Sequence, residues 1–556
     1  MDWLLLISIF IVLATLLAWY LYHIFFNSKS YIYMHYAKLE NTLTHVLKVK
    51  TSAQTGKAYL KSLLLTNGMA TVICYAILRL QHGLWLNPNH IDNMTPDMAF
   101  HTVISFITNT NLQHYAGETS LSYLSQMIVI TFLMFLSAAS GLSVALAFIR
   151  RMTGISDCVG HFNSDVIKVI ALVLLPLSCI INLLLMHEGV IQTLNKNLYI
   201  STIDHRIQAL PLGPVASLES IKHLGTNGGG FFSANSAMPF ENPTVVTNMV
   251  DMISMMILPG AMFILFGIVL YKKNFPSKNQ AFYFVGLLLL IFTLCFIVHI
   301  TAEYMGNPHI PGANFEGKET RFGMTQSALF AIVTSSFTTG AVNHMHDSLT
   351  ALGGMVPLML MMINAIFGGA GVGFLNFMTY VLLTLFIAGL MIGRTPQLFG
   401  KRLESKEMTL ISIILIIHPF IILGLTCLTF IYPQMMHAMT NPGAHGISQV
   451  LYEFTSASAN NGSGFEGLQD HTRLWNITTG CAMFFGRYPA MILQLFVASL
   501  LVRKPVQNTA NEMAIDTAVF NVLLVVIILT ISALTFLPAL VLGPIGEYLT
   551  SLGGVL

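Results

Sequence analysis

The chain has 556 residues, of which 54% are hydrophobic and only 9% charged, with a net charge of +2. Ordinary soluble domains are about 25% charged, and no long polar stretch here could fold in water, so the composition excludes a string of soluble domains. It indicates one membrane domain in a lipid bilayer. The six cysteines (Cys74, Cys158, Cys179, Cys295, Cys427 and Cys481) are scattered without CxxC spacing and read as packing residues rather than a zinc or redox site.

Runs of about twenty apolar residues, the length that crosses hydrocarbon, extend in chain order over Trp3–Phe26, Ser62–Leu80, Met127–Ile149, Val166–Met186, Met249–Tyr271, Phe282–Ile300, Gly373–Ile392, Met408–Ile431, Thr478–Val502 and Val519–Leu542. The fold class expected is all-α integral membrane, with ten transmembrane helices. The first run follows Asp2 rather than a basic segment and has no small-x-small cleavage site, so it is read as a helix, not a signal peptide.

Joining the ten helices alternately puts Lys29, Lys38, Lys48, Lys50, Lys57, Lys61, Arg150, Arg151, Lys168, Lys272, Lys273, Lys278, Arg394, Lys401, Arg402, Lys406, Arg503 and Lys504 on one side. These are eighteen of the 26 basic residues. Lys196, Arg206, Lys222, Lys318, Arg321 and Arg473 fall on the other side, and Arg79 and Arg487 lie near or inside the membrane. The positive-inside rule makes the first side cytoplasmic, with both termini extracytoplasmic.

Four outward connections carry a short half-apolar stretch, too short to span but long enough for two or three helical turns: Pro96–Ile107, Pro214–Gly225, Thr325–Phe337 and Ser448–Ala457. Each reads as a pore helix, and each ends in small polar residues. Aligned with a hydroxyl leading each one, the endings are Thr108-Asn109-Thr110-Asn111, Thr226-Asn227-Gly228-Gly229, Thr338-Thr339-Gly340-Ala341 and Ser458-Ala459-Asn460-Asn461, the last followed by Gly462. The middle eight helices thus form four helix, pore-loop, helix repeats around a pseudo-fourfold pore. The expected division is an added N-terminal helix and cytoplasmic loop (1–60), repeats at 61–150, 151–272, 273–394 and 395–504, and an added C-terminal helix (505–556).

Such loops suit potassium. Dehydrated K⁺ needs several oxygen ligands at once, and backbone carbonyls replace its water shell when consecutive peptides point inward. Gly and Asn tolerate the backbone this requires, Thr and Ser add hydroxyl oxygens, and the negative ends of the pore helices favour a cation. Non-helical backbone at membrane depth is tolerated where it is buried in protein or lines a watery cavity. One such tetrapeptide alone is more often a surface turn; the weight lies in four at equivalent places. In this alignment only the second and third filters have Gly as third residue, with Thr110 and Asn460 in the others, so fewer and more selective sites are expected than in a symmetric channel.

The chain resembles the potassium-binding, channel-like subunit of the bacterial Kdp potassium-transporting ATPase. The resemblance is carried by Thr108 to Gln113 with Gly117-Glu118-Thr119, Thr226 to Phe232 with Asn235-Ser236 and Pro239 to Thr244, Thr338 to Asn343 with Met345 to Ser348, and Ser458 to Ser463. This family is similar in architecture to the Trk, Ktr and HKT transporters. The resemblance implies selection of external K⁺, its delivery through an intramembrane tunnel to a P-type ATPase subunit, two smaller Kdp subunits, residence in the bacterial inner membrane, and no nucleic-acid partner. Neither a Walker A sequence nor an Asp-Lys-Thr-Gly occurs, so this chain is expected to bind no nucleotide and to be non-catalytic.

Single residues leave alternatives open. Gln113 either borders the ion cavity or fastens the first filter to its neighbours. Asn235 and Asn343 either lend side-chain oxygens or brace their loops, bracing being the commoner use of a buried amide. Arg487, with no acidic neighbour in sequence, is either a positive barrier beneath the filter or half of an internal salt bridge. The glycines Gly368, Gly369, Gly371 and Gly373 permit either a broken, tunnel-lining helix or plain helix packing. Two competing functions are a stand-alone Trk/Ktr-like gated transporter and a membrane metalloenzyme on His344, His346 and Asp347. The second is disfavoured because a zinc site needs three or four ligands with supporting partners.

Overall fold

The computed structural model describes residues 2–27, 29–46, 52–154, 159–275, 277–393, 395–506 and 513–553; Lys48, Lys50, Cys158 and Arg394 lie outside them. Among the described residues, ten helices are long and apolar enough to cross a membrane: Asp2–Phe25, Gly56–Gly83, Ser125–Met152, Phe162–His187, Val245–Lys272, Gln280–Met305, Val372–Met391, Ser405–Ile431, Arg473–Val502 and Ala518–Ser551. Each coincides with one of the ten expected runs, eight of which lie wholly inside their helices while Trp3–Phe26 and Gly373–Ile392 overrun by one residue, so the protein is a multi-pass, all-α membrane protein. Some of the helices start where hydroxyl or carboxylate side chains stand in for missing backbone acceptors. Thr244 and Thr247 bond reciprocally at the head of the fifth, and Glu404 and Glu407 do so at the head of the eighth.

Four shorter helices, Pro96–Ile107, Val215–Leu224, Gly323–Ser336 and Ala444–Ala459, stand between the second and third, fourth and fifth, sixth and seventh, and eighth and ninth spans. Burial separates the two spans of each repeat. The helix after each short one is the inner one: the most apolar stretches of the third, fifth and seventh spans are 89%, 83% and 67% buried, against 28%, 39% and 28% for the second, fourth and sixth that precede them. A lipid-facing helix keeps its apolar side chains on the outside because hydrocarbon, unlike water, does not drive them inward.

The first span is more than an appendage. Gly260 in the fifth helix leaves room for the Phe10 ring, which packs edge-on against Phe337 and Phe367 at 5.8 and 5.7 Å. The seventh span is built in two pieces, Ala351–Ile363 and Val372–Met391, divided by a non-helical stretch in which Asn364, Phe367, Gly368 and Gly371 have positive φ. The glycines therefore mark a true break. Outside the helical array, Leu198–Ser201 and Ile207–Leu210 form a small antiparallel hairpin before the second short helix.

Candidate ion-binding site

The four short helices end in the same way. In each, one residue swings into the left-handed region (Asn109 at φ 63°, Thr226 at 51°, Thr338 at 48°, Asn460 at 57°). The next N–H then bonds to the carbonyl five residues back: Thr110 to Ser105 at 2.9 Å, Asn227 to Lys222 at 2.8 Å, Thr339 to Thr334 at 2.8 Å and Asn461 to Ser456 at 2.9 Å. A left-handed residue is uncommon outside glycine and strained for a β-branched one, so its recurrence at four equivalent places is a structural register in itself.

That register corrects the alignment drawn from sequence. The equivalent quartets are Asn109–Leu112, Thr226–Gly229, Thr338–Ala341 and Asn460–Ser463. Thr108 caps the first short helix, its Oγ1 bonded to the Ile104 carbonyl and to Thr110 Oγ1, each at 2.8 Å. Ser458 and Ala459 lie in the last turn of the fourth. The leading hydroxyls had suggested another alignment, but a hydroxyl at a helix end serves as readily to bond the preceding turn. The third positions become Asn111, Gly228, Gly340 and Gly462, making the repeats more alike than the sequence alignment implies.

The loops meet at one place. A Cβ on Gly228 would lie 2.9 Å from the Thr110 carbonyl oxygen and 3.0 Å from those of Thr339 and Asn461. These three residues occupy the position equivalent to Asn227, so one carbonyl from each of three other repeats closes on the second loop. A Cβ on Gly340 would strike the Asn461 carbonyl, and one on Gly462 the Thr110 carbonyl. Gly228 is not in a positive-φ conformation. Glycine is required there for space, not for the backbone angle expected from sequence. Asn111, the counterpart of the glycines, has φ 59° and a buried amide with neither Oδ1 nor Nδ2 bonded among the described residues.

Side-chain amides tie neighbouring repeats together. Asn109 Nδ2 donates to the Thr226 carbonyl at 2.8 Å, Asn460 Nδ2 to Thr110 Oγ1 at 3.0 Å, and Asn461 Nδ2 to the Thr334 carbonyl at 3.1 Å. Gln113 makes a reciprocal pair with Gly230, accepting from its N–H at 2.9 Å and donating to its carbonyl at 3.0 Å. It also borders an open vestibule of about 1510 Å³ shared by Asn111, His114, Asn235, Gly340, Gly462 and Asp470, among others. Asn343 is fully buried and bonds Asn248 and His344 at 3.0 and 2.8 Å, a brace between a loop and the fifth span.

Asn235 also braces. Its Nδ2 donates to the Gly228 carbonyl at 2.6 Å, while its Oδ1 accepts from the Lys222 ammonium. Lys222 is wholly buried and also meets Glu219 at 3.0 Å, Glu241 at 3.1 Å and Ser236 Oγ at 2.9 Å. Burial opposes its charge, but Glu219 and Glu241 outweigh that and hold its pKa above the usual lysine range. The sequence places Lys222 only on the extracytoplasmic side, within the expected helix Pro214–Gly225, and this cluster goes unseen. The signal was available: Glu219 and Lys222 stand three apart on a helix whose other face is apolar, the spacing of an ion pair.

The family profile described as "Potassium-transporting ATPase A subunit" matches residues 4–549. The chain belongs to this family. Among its relatives, potassium-transporting ATPase potassium-binding subunit 2 of Staphylococcus aureus (strain Mu50 / ATCC 700699) is 49% identical over 555 residues, 99% of each chain. The potassium-binding subunit of Staphylococcus haemolyticus (strain JCSC1435) matches to the same extent. Subunit 1 of S. aureus (strain MRSA252) is 48% identical over 556 residues, 99% of this chain and 100% of the other. In fold, the chain is similar to the potassium transporter TrkH from Vibrio parahaemolyticus, with a TM-score of 0.53 and 14% identity over 90% of this chain and 97% of the other.

Beneath the meeting point of the loops, this A-subunit-family chain places the break in its seventh span. The Ala370 N–H donates to Thr226 Oγ1 at 2.9 Å, and a Cβ on Gly141 would lie 2.6 Å from the Ala370 carbonyl and 2.9 Å from Arg487 Nη2. Arg487 is 5% exposed, yet no carboxylate or hydrogen-bond acceptor pairs with it among the described residues. The salt-bridge alternative is thus not what the structure contains. The residues proposed for a metalloenzyme are engaged separately: His344 with Asn343 at 2.8 Å, His346 with Tyr452 at 2.9 Å, and Asp347 with His445 at 3.0 Å.

Proposed function

We propose that the four loops form a K⁺ selectivity filter and that this chain selects extracytoplasmic K⁺ for a P-type ATPase subunit. The convergence of the Thr110, Thr339 and Asn461 carbonyls on Gly228 carries the reading, because neutral inward-facing oxygens replace the hydration of a weakly hydrated monovalent cation and offer nothing to a ligand that needs charge. Thr110, Asn227, Thr339 and Asn461 supply the principal carbonyls. Asn111, Gly228, Gly340 and Gly462 form the adjoining layer, with Gly229 and Ala341 beyond it, and Asn109, Thr226, Thr338 and Asn460 set the backbone turn. Gln113, Asn235 and Asn343 hold the loops in register.

Below the filter, buried Arg487 and the Gly368–Gly371 break close the direct route to the cytoplasm, so K⁺ leaves laterally through an intramembrane tunnel to the ATPase subunit. The A-subunit relatives, named as parts of a potassium-transporting ATPase, favour this over a stand-alone gated transporter. Two smaller Kdp subunits complete the complex in the inner membrane. The chain divides into an added N-terminal segment, four repeats and an added C-terminal helix, with both ends outside. Purified chain should bind K⁺ in preference to Na⁺ and hydrolyse no ATP. ATP hydrolysis by rigorously partner-free protein, or equal retention of Na⁺, would overturn the assignment.

A further inference from the structure

A cluster of side chains able to ligate a metal stands at the vestibule wall. His114, in the connection after the first filter loop, places Nε2 3.2 Å from Glu453 Oε1 of the fourth short helix and 3.5 Å from Asp470 Oδ2 of the connection that follows it. One ligand atom from each residue lies within 4.8 Å of the other two. For metal–ligand bonds of about 2.0–2.2 Å, the edges of a tetrahedron are about 3.3–3.6 Å. Both observed separations fall within about 0.1 Å of that range.

The surroundings are those of a metal-ligating histidine. Asn476 Oδ1 sits 2.8 Å from His114 Nδ1 and is itself anchored, its Nδ2 donating to Asp97 Oδ2 at 2.7 Å. That fixes a proton on Nδ1 and turns Nε2 toward the two carboxylates, the arrangement that orients a ligating imidazole. His101 stacks on the ring at 3.9 Å and holds its plane. Glu453 is fully buried and its Oε2 has no partner among the described residues. The nearest group a Cβ at Gly464 would approach is that same oxygen, at 3.4 Å, so the glycine leaves room beside it. Asp470 and His114 also border the vestibule, which gives an entry path and an open fourth position.

We propose that His114, Glu453 and Asp470 form a three-ligand site for a divalent transition-metal ion of the Zn²⁺ class. One neutral imidazole and two carboxylates cancel the charge of such an ion, whereas the uncharged carbonyls of the filter do not. Binding displaces the proton from Nε2, as imidazole coordination requires. The ion ties the loop after the first filter to the fourth repeat, so it stabilises the protein by mass action.

The test uses the full chain, purified with whatever subunits accompany it, stripped by chelator and re-equilibrated with Zn²⁺ or Co²⁺ alone. The wild type should retain about one equivalent of Zn²⁺ more than Asp470→Asn or His114→Gln, show the intense visible bands of tetrahedral Co²⁺, and melt at a higher temperature with Zn²⁺ than without. Asp470, with its side chain 23% exposed, is the variant that keeps the fold if His114→Gln does not. Equal metal content in wild type and Asp470→Asn would show that the cluster is a buried ion pair, and a six-coordinate Co²⁺ spectrum that the ion is not held in a three-ligand tetrahedral pocket; either result overturns the site. None of these readouts involves K⁺, so the filter assignment stands or falls separately.

Discussion

Gly228→Ala is the sharpest single perturbation of the filter. The added methyl would enter a space whose walls are carbonyl oxygens of Thr110, Thr339 and Asn461 at 2.9, 3.0 and 3.0 Å, closer than an unstrained carbon–oxygen contact. Those oxygens cannot retreat freely. Their loops are fixed by the bonds from Thr110, Thr339 and Asn461 to Ser105, Thr334 and Ser456, and the Gly228 carbonyl is held by Asn235 at 2.6 Å. Inserting a methyl into a close-packed site costs about 1–3 kcal/mol, which corresponds to K⁺ binding about fivefold to 150-fold weaker. Discrimination against the similarly sized Rb⁺ should relax as the ring is pushed out of register. The assay is the K⁺ and Rb⁺ dependence of uptake by the assembled transporter, with protein level checked in the membrane. Gly68→Ala is the control, because nothing lies within 4 Å of a Cβ there and alanine is favoured in a helix. Unchanged K⁺ and Rb⁺ dependence in Gly228→Ala at normal protein levels would refute the carbonyl ring as the selecting element.

Four further outcomes follow from the same geometry. Arg487→Gln should allow passive K⁺ leakage into proteoliposomes, or ATP use without matching uptake, while Arg487→Lys retains the barrier; identical flux and coupling in all three proteins would remove the barrier role. Asn235→Ala frees the Gly228 carbonyl and takes a partner from Lys222, at a cost of about 1–3 kcal/mol for the unsatisfied groups, and should lower both the melting temperature and the K⁺ affinity. Lys222→Met leaves Glu219 and Glu241 facing each other without their cation, a loss of about 3–5 kcal/mol, and should abolish accumulation of folded protein, as read by size-exclusion chromatography in detergent. Burial works against a charged His445, but Asp347 and Glu547 overcome it and lift its pKa to about 10. Its folded-state pKa is raised, so its stabilisation is full below the ordinary histidine pKa of about 6.5 and is lost as pH climbs through about 10. The melting-temperature gap between wild type and His445→Gln should therefore shrink over that interval; a gap that widens with pH would contradict the pairing.

The spanning helices were legible because twenty apolar residues in a row have few alternatives, and each of the ten expected runs matches one helix to within a residue of lying inside it. The short helices were nearly as plain, and Pro96–Ile107 has the ends read from sequence. What sequence alone misjudged was the register of the first and fourth loops. Thr108 and Ser458 share a hydroxyl with Thr226 and Thr338, whereas the feature that aligns the loops is a left-handed backbone angle, and Asn109 and Asn460 adopt it as readily as the threonines are forced to. Side-chain letters do not report φ. The roles of Asn235, Lys222 and Glu241 were hidden for a different reason: a buried charge cluster is assembled from residues up to 22 positions apart in the chain, and its members look like loop polarity until they are brought together. Arg487 was visible as an anomaly, but whether a carboxylate meets it is a tertiary fact.

The most direct test is to locate the ion. With Tl⁺ substituted for K⁺ in crystals or cryo-EM samples of the assembled transporter, heavy-ion density should lie between the carbonyls of Thr110, Asn227, Thr339 and Asn461, be displaced by excess K⁺, and persist in excess Na⁺. Tl⁺ bound elsewhere in the chain with that space unoccupied, or displaced equally by Na⁺, would contradict the proposal that these four loops select potassium.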